Sequence, residues 1–291
     1  MGMRIRTNVP SLTAQRFLTQ NTNNLSQSFE RLSSGYRINK SSDDAAGLAI
    51  SENMRGKIRA FNQNKRNAND AVSMVQIAEG GMNEMSNILI RLRELTVQSA
   101  SDTIGDQERG FLNREYTQLV DEIDRIAMTT EFNGLKMFGE DRPDQFVIQV
   151  GPNGTEPEMN MDTISINLEG LAFTTADLEL GKGAEIGPQN GDDGPSREDI
   201  AAKLNPIDNA LQRIASERAT LGSIQSRLGS AVNNLSVSVE NLETAKSRIR
   251  DVDFAAETAE LTQARILSNS NLAVLTQANA VPEMALQLLR S

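Results

Sequence analysis

Cysteine and histidine are both missing from this chain of 291 residues. Without cysteine there can be neither a disulfide framework nor a thiol nucleophile. Without histidine the chain lacks the commonest general base, the commonest metal ligand and any H-E-x-x-H zinc site. Catalysis that depends on a thiol or an imidazole is therefore excluded. The missing cysteine fits a protein that leaves a cell without oxidative folding, and equally fits many cytosolic proteins.

Large aromatic side chains and long apolar runs are scarce as well. Aromatics make up 4% of the chain and tryptophan is absent, so a core must be built from Leu, Ile, Val, Met and Ala. No stretch of about 18 apolar residues occurs, which argues against a membrane-spanning helix and predicts no membrane insertion. The basic first ten residues have no apolar run behind them, so we expect no secretory signal peptide. Cytosolic residence or an export route without a cleaved signal remain as alternatives.

Negative charge is concentrated in the middle of the chain. Residues 101–200 carry 22 acidic and 7 basic side chains, whereas residues 1–40 carry six basic and one acidic. A solvated acidic surface is the simplest interpretation of the middle. No basic cluster is interleaved with aromatics, so nucleic-acid binding is disfavoured.

What the chain has in abundance is heptad periodicity. One run of seven large aliphatics at seven-residue intervals comprises Ile207, Ile214, Leu221, Leu228, Leu235, Leu242 and Ile249. A second, half-polar stripe four residues on comprises Leu211, Arg218, Gln225, Val232, Val239 and Lys246. Such a pattern predicts a long helix that packs against other helices, roughly 63 Å long at 1.5 Å per residue.

A second long helix is predicted around Met54, Phe61, Ala68, Val75, Met82, Leu89 and Thr96. Gly80 and Gly81 lie in its middle and should each weaken it by about 1 kcal/mol relative to alanine. A break at 99–104 precedes a shorter amphipathic helix, for which Asp106 is a candidate N-cap. Its apolar residues follow 4-3-4-3 spacing: Leu112, Tyr116, Leu119, Ile123 and Ile126.

The two ends of the chain predict helices that need neighbours. Residues 11–32 form a polar helix with an apolar stripe of Leu18, Leu25 and Leu32, and with Phe29 beside it. The last helix carries Leu267, Val274, Val281 and Leu288 at strict sevens, with a second apolar face that includes Leu272 and Leu275. We predict that the self-assembly surface consists of eight residues: Leu18, Leu25, Phe29, Leu32, Leu267, Val274, Val281 and Leu288. We expect Pro282 to kink the last helix or restart its final turns.

The middle predicts a small β element. Residues 146–150 and 163–168 alternate as strands around a Gly-Pro-Asn-Gly turn, and 181–195 is a loop rich in Gly and Pro. Ser196 and Asp199 resemble a capping box that starts the next helix. The two long helices bracket this region, so chain reversal would set them antiparallel. The predicted fold is mainly α: a long antiparallel coiled-coil helical bundle with a small β-hairpin-containing region.

Several motifs resemble the bacterial flagellin family. At the amino end these are residues 11–15, LSSGYRIN at 32–39, 43–51, LIRLRELTVQ at 89–98, 122–126 and 132–134. At the carboxyl end they are NLETAKSRIRD at 241–251, 277–279 and 286–290. The resemblance covers about residues 3–138 and 201–291. Two departures are a short middle, without the outer domains of many flagellins, and Arg6 and Pro10 near the start.

The resemblance implies a domain layout. Residues 1–40 and 255–291 would form the two parts of an inner core domain. Residues 41–176, with the β element, and 201–254 would form the rod domain, and 177–200 would be a short exposed loop in place of outer domains. The implied function is a structural subunit that polymerises into the extracellular flagellar filament for motility, exported unfolded and without enzymatic activity or cofactor.

The implied partners are further copies of the chain, a flagellar export chaperone, and the filament cap and hook-junction proteins. In flagellins that a host Toll-like receptor recognises, the contact patch corresponds to Arg91, Leu95 and Glu115; rod–rod packing is an alternative role for them. Asn153–Thr155 fits the glycosylation triplet, a weak signal in a bacterial protein. The alternative functions are a hook–filament junction protein or another coiled-coil secretion-apparatus protein; a flagellin-like carrier of a catalytic domain is disfavoured because the insert is small.

Overall fold

The computed structural model describes residues 7–139, 142–152, 162–181, 185–188 and 195–288, with side chains of the last helix described up to residue 282. The chain forms two compact units. One comprises Met1–Ile58 with Glu240–Ser291, and the other comprises Arg59–Val239. We call them the terminal unit and the central unit and describe each by itself. The predicted Asn153–Thr155 triplet lies outside the described residues.

Long helices dominate the described chain. The helices are α1 (Val9–Ser34), α2 (Ala45–Ser99), α3 (Asp106–Thr129), α4 (Arg197–Ala202), α5 (Leu204–Arg250) and α6 (Phe254–Leu288). The strands are β1 (Glu131–Phe132), β2 (Leu135–Lys136), β3 (Gln145–Gln149) and β4 (Thr163–Asn167), followed by a 3₁₀ turn at Glu169–Leu171. The predicted mainly α fold with a small β region is confirmed.

Local chemistry explains where these helices begin and end. Asn8 caps α1 by accepting a hydrogen bond from the Ser11 amide at 3.2 Å, and Gly35 ends that helix in the left-handed conformation at φ 74°. The predicted capping box is present at Ser196 and Asp199. The predicted N-cap at Asp106 is wrong: Gly105 occupies that position and Asp106 is the first helical residue, where an acidic side chain favours the helix dipole.

The core of the central unit is built on the facing sides of α2 and α5, and Tyr116, Ile123 and Ala127 of α3 belong to the same cluster. Both helices contribute heptad positions that are nearly all buried, from Ala68 to Ser99 on α2 and from Ile207 to Leu235 on α5. Two ion pairs at the rim of the seam show the relative direction of α2 and α5. Arg93 Nε lies 2.7 Å from Asp208 Oδ1, and Arg218 Nη2 lies 3.8 Å from Glu79 Oε1. Higher numbers on one helix meet lower numbers on the other, so the helices are antiparallel, as predicted.

The half-polar second stripe of α5 is only partly buried, as at Leu211 and Val232. Beside the heptad aliphatics, the buried positions are Ala210 and Ile224, which lie three residues after Ile207 and Leu221. A coiled-coil seam alternates steps of three and four residues. The sequence did not single out Ala210, because its apolarity ranks below that of Leu211.

The β region covers the end of this core. β1 pairs with β2 through a tight turn in which Asn133 and Gly134 have φ of 50° and 79°. β3 pairs antiparallel with β4, with Val147 opposite Ser165. Ile164 and Ile166 of β4 are buried in the same cluster as the α2 and α5 seam. The predicted strands at 146–150 and 163–168 are therefore confirmed, each shifted by at most one residue.

Gly80 and Gly81 do not interrupt α2, which runs unbroken through both. A Cβ atom at Gly81 would lie 2.7 Å from Cε2 of Phe138, whereas one at Gly80 would meet nothing within 4 Å. Phe138 is fully buried and packs against Phe173 with ring centroids 5.7 Å apart. Gly81 thus makes room for Phe138 to pack against α2. Gly80 makes no such room, so it lowers helix stability relative to alanine without a packing gain.

In the terminal unit, α1 and α6 pack against each other in antiparallel directions. The side-chain amide of Asn8 donates from Nδ2 to the Ala278 carbonyl at 2.8 Å, and Ser11 Oγ donates to Asn279 Oδ1 at 2.8 Å. At the other end, Arg31 Nη1 lies 3.5 Å from Glu257 Oε2. The start of α1 therefore meets the far part of α6. Helix α6 continues through Pro282 to Leu288.

Candidate functional site

The seam between α1 and α6 is made of small and polar side chains. Its most buried members are Ser11, Ala14 and Ser28 on α1, and Glu257 and Ala264 on α6. Larger aliphatic residues of the seam are only half-buried, among them Leu18 and Leu25 on α1 and Leu261 and Leu275 on α6. A seam that buries so little apolar surface stabilises the pair weakly, because burial is worth about 25 cal/mol per Å².

Seven of the eight predicted assembly residues have described side chains, and these seven fall into two groups by exposure. Leu18, Leu25 and Leu32 occupy heptad positions of the α1–α6 seam and are half-buried within the chain. Phe29, Leu267, Val274 and Val281 are 46%, 43%, 56% and 41% exposed. Leu288 ends α6, and its side chain lies outside the described part. The three leucines of α1 therefore already contact α6 within the chain with part of their surface, and their role in assembly stays a prediction.

The stripe of Leu267, Val274 and Val281 lies beside the seam. The seam of α6 alternates steps of four and three through Glu257, Leu261, Ala264, Ser268, Asn271, Leu275 and Ala278. Leu267 and Val274 directly precede Ser268 and Leu275 of that seam, and Val281 precedes Pro282, the next position at a step of four, so the three occupy flanking positions of the heptad. Ile266 and Leu267 also line a shallow groove with Thr258, Ala259, Thr262 and Gln263. We call Leu267, Val274 and Val281 the flanking stripe.

Most other exposed apolar side chains of the terminal unit were not predicted from the sequence. Those more than 45% exposed are Val9, Leu12, Phe17, Ile50, Phe254, Ile266 and Leu272. Phe17 is partly covered by the guanidinium of Arg16, 5.5 Å from the ring centroid. Most of these residues do not fall on a seven-residue repeat with one another, so periodicity could not select them. Leu272, placed on a second face of α6 by the sequence, was the exception.

The predicted receptor-contact residues differ in accessibility. Arg91 and Glu115 are half exposed and joined by two hydrogen bonds, at 2.9 and 2.8 Å from Nε and Nη2 to Oε1. The bond to Glu115, followed by that to Glu94, raises the pKa of Arg91. Leu95 is fully buried between the helices of the central unit. Its prediction as a surface contact is wrong, because a buried side chain cannot reach a partner.

The described residues offer no metal-binding arrangement. Within them, no group of three or more Asp or Glu side chains is placed to hold a metal ion. A search of the same residues for a helix both long and apolar enough to cross a membrane also found none. What the terminal unit presents is an unpartnered apolar surface on a weakly packed helix pair. That combination is typical of an interface with other macromolecules.

Fold and surface together define a helical-bundle protein of the self-associating class. Family models for the bacterial flagellin N-terminal and C-terminal helical regions match residues 5–141 and 204–289. This chain belongs to the bacterial flagellin family. It is 40% identical to a flagellin of Halalkalibacterium halodurans, over 99% of this chain and 100% of the relative. It is also 39% identical to a flagellin of Bacillus subtilis with the same coverage.

A structural likeness extends to a Vibrio parahaemolyticus protein provisionally described as flagellar hook-associated. The two share 16% identity and a TM-score of 0.58, over 72% of this chain and 100% of that one. At that identity the likeness speaks for the fold alone. The family match makes this chain a structural, non-enzymatic subunit that polymerises with itself into the flagellar filament, which is part of the extracellular flagellum. The hook–filament junction alternative is not better supported.

Proposed function

We propose that polymerisation is driven by burial of the flanking stripe and Phe29 against terminal units of neighbouring subunits. The observation that carries this proposal is the 41–56% exposure of these four apolar side chains on one helix pair. Apolar side chains left in water at regular heptad positions gain free energy when another helix covers them. The neighbour is another copy of this chain and meets the stripe with a different face of its terminal unit, so no further type of protein is required.

The weak α1–α6 seam supports a coupling of order to assembly. Isolated helices of low hydrophobicity are marginal in water, and this seam adds little apolar burial. The contacts made in the filament would therefore supply the free energy that orders the pair. The interface has to be head-to-tail and open, because a heterologous contact that does not close a ring permits unlimited addition of subunits.

The test compares two double variants of the flanking stripe. Leu267→Asp with Val274→Asp places two carboxylates on the surface, and Leu267→Met with Val274→Ile keeps it apolar. We expect the acidic variant to form no filaments, with a critical concentration raised at least tenfold, and the apolar variant to polymerise as wild type. Negative-stain electron microscopy and sedimentation measure this. Equal polymerisation of both variants would refute the proposal.

A deletion supplies a second test of the same idea. Removal of residues 255–291 takes away α6 but leaves the central unit, whose buried core spans α2, α3, the β region and α5. We expect a folded, monomeric rod that cannot polymerise. Circular dichroism would report the retained helices, and long filaments from this truncated chain would overturn the proposal.

We extend the proposal to the partners that the family resemblance implies. Before assembly, an export chaperone would cover the same apolar surface of α6, and export would proceed with the terminal helices unfolded. The cap and hook-junction proteins would meet the same α1 and α6 helices at the two ends of the filament. Gel filtration of the chain with a flagellin chaperone tests the first point: the acidic stripe variant should lose the complex, and the apolar variant should keep it.

For domains, we propose that residues 1–40 and 255–291 form the inner core and that 41–176 and 201–254 form the rod. The prediction that 177–200 is wholly an exposed loop is corrected, because Leu178, Leu180 and Ile186 are buried in the core of the central unit and α4 begins at Arg197.

For host detection, we propose contact through Arg91 and Glu115 without Leu95. The half-exposed ion pair supports this role, while rod–rod packing is the competing one. Arg91→Ala should abolish receptor activation while polymerisation persists; unchanged activation would eliminate the receptor role.

A further inference from the structure

Two short connectors meet in the terminal unit. Residues 35–44 join α1 to α2, and residues 251–253 join α5 to α6. They form an isolated antiparallel bridge between Tyr36 and Asp251. The Arg37 amide donates to the Arg250 carbonyl at 2.7 Å, and the Val252 amide donates to the Gly35 carbonyl at 3.0 Å. The chain therefore passes into and out of the α1–α6 pair through one hydrogen-bonded junction.

The side chain of Arg250 joins three segments at this junction. Its guanidinium lies over the Tyr36 ring, 4.6 Å from the centroid. Its Nη1 donates to Glu52 Oε1 of α2 at 2.7 Å, and the side chain is only 16% exposed. The same residue belongs to the last turn of α5. Arg250 therefore links the end of α5, to which it belongs, with the first connector and with α2.

Apolar packing does little to hold the junction. In the two connectors, all of which belong to the described residues, Ile38 is the one buried side chain. The orientation of the α1–α6 pair relative to the ends of α2 and α5 within the terminal unit therefore depends on polar contacts. A planar guanidinium can stack flat on a ring and donate to a carboxylate at the same time, whereas the ammonium of lysine is a point charge without a planar face to stack.

We propose that Arg250 is a positioning residue that fixes the direction of the α1–α6 pair and thereby sets the helical repeat of the filament. The inference rests on the proposed role of that pair in polymerisation. In a helical polymer each subunit repeats the same small rotation, so a change of angle at one junction accumulates along the filament. Loosening the junction therefore changes filament shape rather than the ability of the apolar stripe to associate.

The experiment uses the full chain with Arg250→Lys and Arg250→Ala, and Arg248→Ala as the matched control. Arg248 lies in the same last turn of α5 but is exposed. Filaments are imaged by electron cryomicroscopy, and exchange of the Arg37 and Val252 amides is followed in the filament. A variant that does not elongate alone is measured in mixed filaments with excess wild-type subunits.

We expect at least tenfold faster exchange of both amides and an altered helical repeat in the Arg250 variants, with neither change in Arg248→Ala. A ring test completes the design: Tyr36→Phe, which keeps the stacking surface, should match wild type, and Tyr36→Leu should resemble Arg250→Lys. Unchanged exchange or an unchanged repeat in Arg250→Ala would overturn the inference. That result would leave the apolar-stripe proposal intact, since the stripe variants test it separately by the amount of polymer formed.

Discussion

Arg31 of α1 and Glu257 of α6 form an ion pair inside the terminal helix pair, with Nη1 and Oε2 3.5 Å apart. The Glu257 side chain is 7% exposed and that of Arg31 is 24% exposed. Among the described contacts, Arg31 Nε and Glu257 Oε1 have no hydrogen-bond partner. A buried pair with unsatisfied atoms adds little net stability, but it penalises any arrangement of the helices that separates the charges.

Removing the positive charge of Arg31 should therefore destabilise the α1–α6 pair more than neutralising Glu257 does. Arg31→Ala leaves the Glu257 carboxylate buried and unpaired, which should weaken the α1–α6 pair by about 2 kcal/mol, below the figure of roughly 3–5 for a fully buried pair. Glu257→Gln keeps the shape without the charge and should cost less than about 1 kcal/mol. The critical concentration for polymerisation measures both, and a smaller effect of Arg31→Ala than of Glu257→Gln would contradict this view of the seam.

Two adjacent glycines of α2 should respond in opposite directions to alanine. Gly80→Ala should raise the free energy of unfolding by about 1 kcal/mol, because its Cβ meets no atom and alanine favours the helix. Gly81→Ala should lower it by about 1–2 kcal/mol, because the new methyl group forces the buried Phe138 ring to move. Urea unfolding of the monomer tests the pair. Equal stabilisation by both changes would mean that Phe138 does not pack against Gly81 in solution.

The buried hydroxyl of Tyr116 predicts an alkaline loss of stability. Desolvation raises the pKa of Tyr116 to about 12, above the ordinary value of 10.0. Between these two pH values the unfolded chain releases a proton that the folded chain retains. The free energy of unfolding should therefore fall as the pH rises from 10 to 12, by up to roughly 3 kcal/mol at about 1.4 per pH unit.

Tyr116→Phe should remove this dependence. At neutral pH it should be neutral or stabilise by about 1 kcal/mol, since the hydroxyl has no partner among the described residues. Above pH 10 its advantage over wild type should widen. Urea unfolding between pH 8 and 11.5 measures the difference, and Tyr36→Phe, at the exposed tyrosine, is the matched control. Parallel pH profiles for wild type and Tyr116→Phe would show that burial of Tyr116 does not govern the effect.

Leu95 and Arg91 lie one helical turn apart on α2 but should differ in their contribution to stability. Leu95→Ala empties space in a fully buried position and should cost about 2–5 kcal/mol. Arg91→Ala removes a half-exposed ion pair and should cost less than about 1 kcal/mol. Denaturant unfolding of the monomer distinguishes them. If Leu95→Ala lowered the free energy of unfolding by less than about 1 kcal/mol, the Leu95 side chain would not be buried in solution.

Much of the fold was predictable because its signals are local. Heptad repeats over Met54–Thr96 and Ile207–Ile249 located the two long helices, and the turn residues at 131–135 marked where the first helical part of the chain gives way to short strands. The candidate site was predicted less well. The sequence identified the flanking stripe as apolar, yet it also selected Leu18, Leu25 and Leu32, which the chain itself covers in part, and it missed Phe17, Ile266 and other exposed residues.

The sequence by itself determined which segments are helical and where each carries an apolar stripe. It also indicated that neither terminal helix is stable alone, since the first is polar and the last has two apolar faces. Only the tertiary structure decided which stripe meets a partner within the chain. Periodicity gives the face of a helix but not its neighbour, and small residues such as Ala210 and Ala264 are buried although their apolarity is low. On α6 the seam runs through Ala264, Ser268 and Leu275, so Leu267 and Val274 lie beside it and remain 43% and 56% exposed.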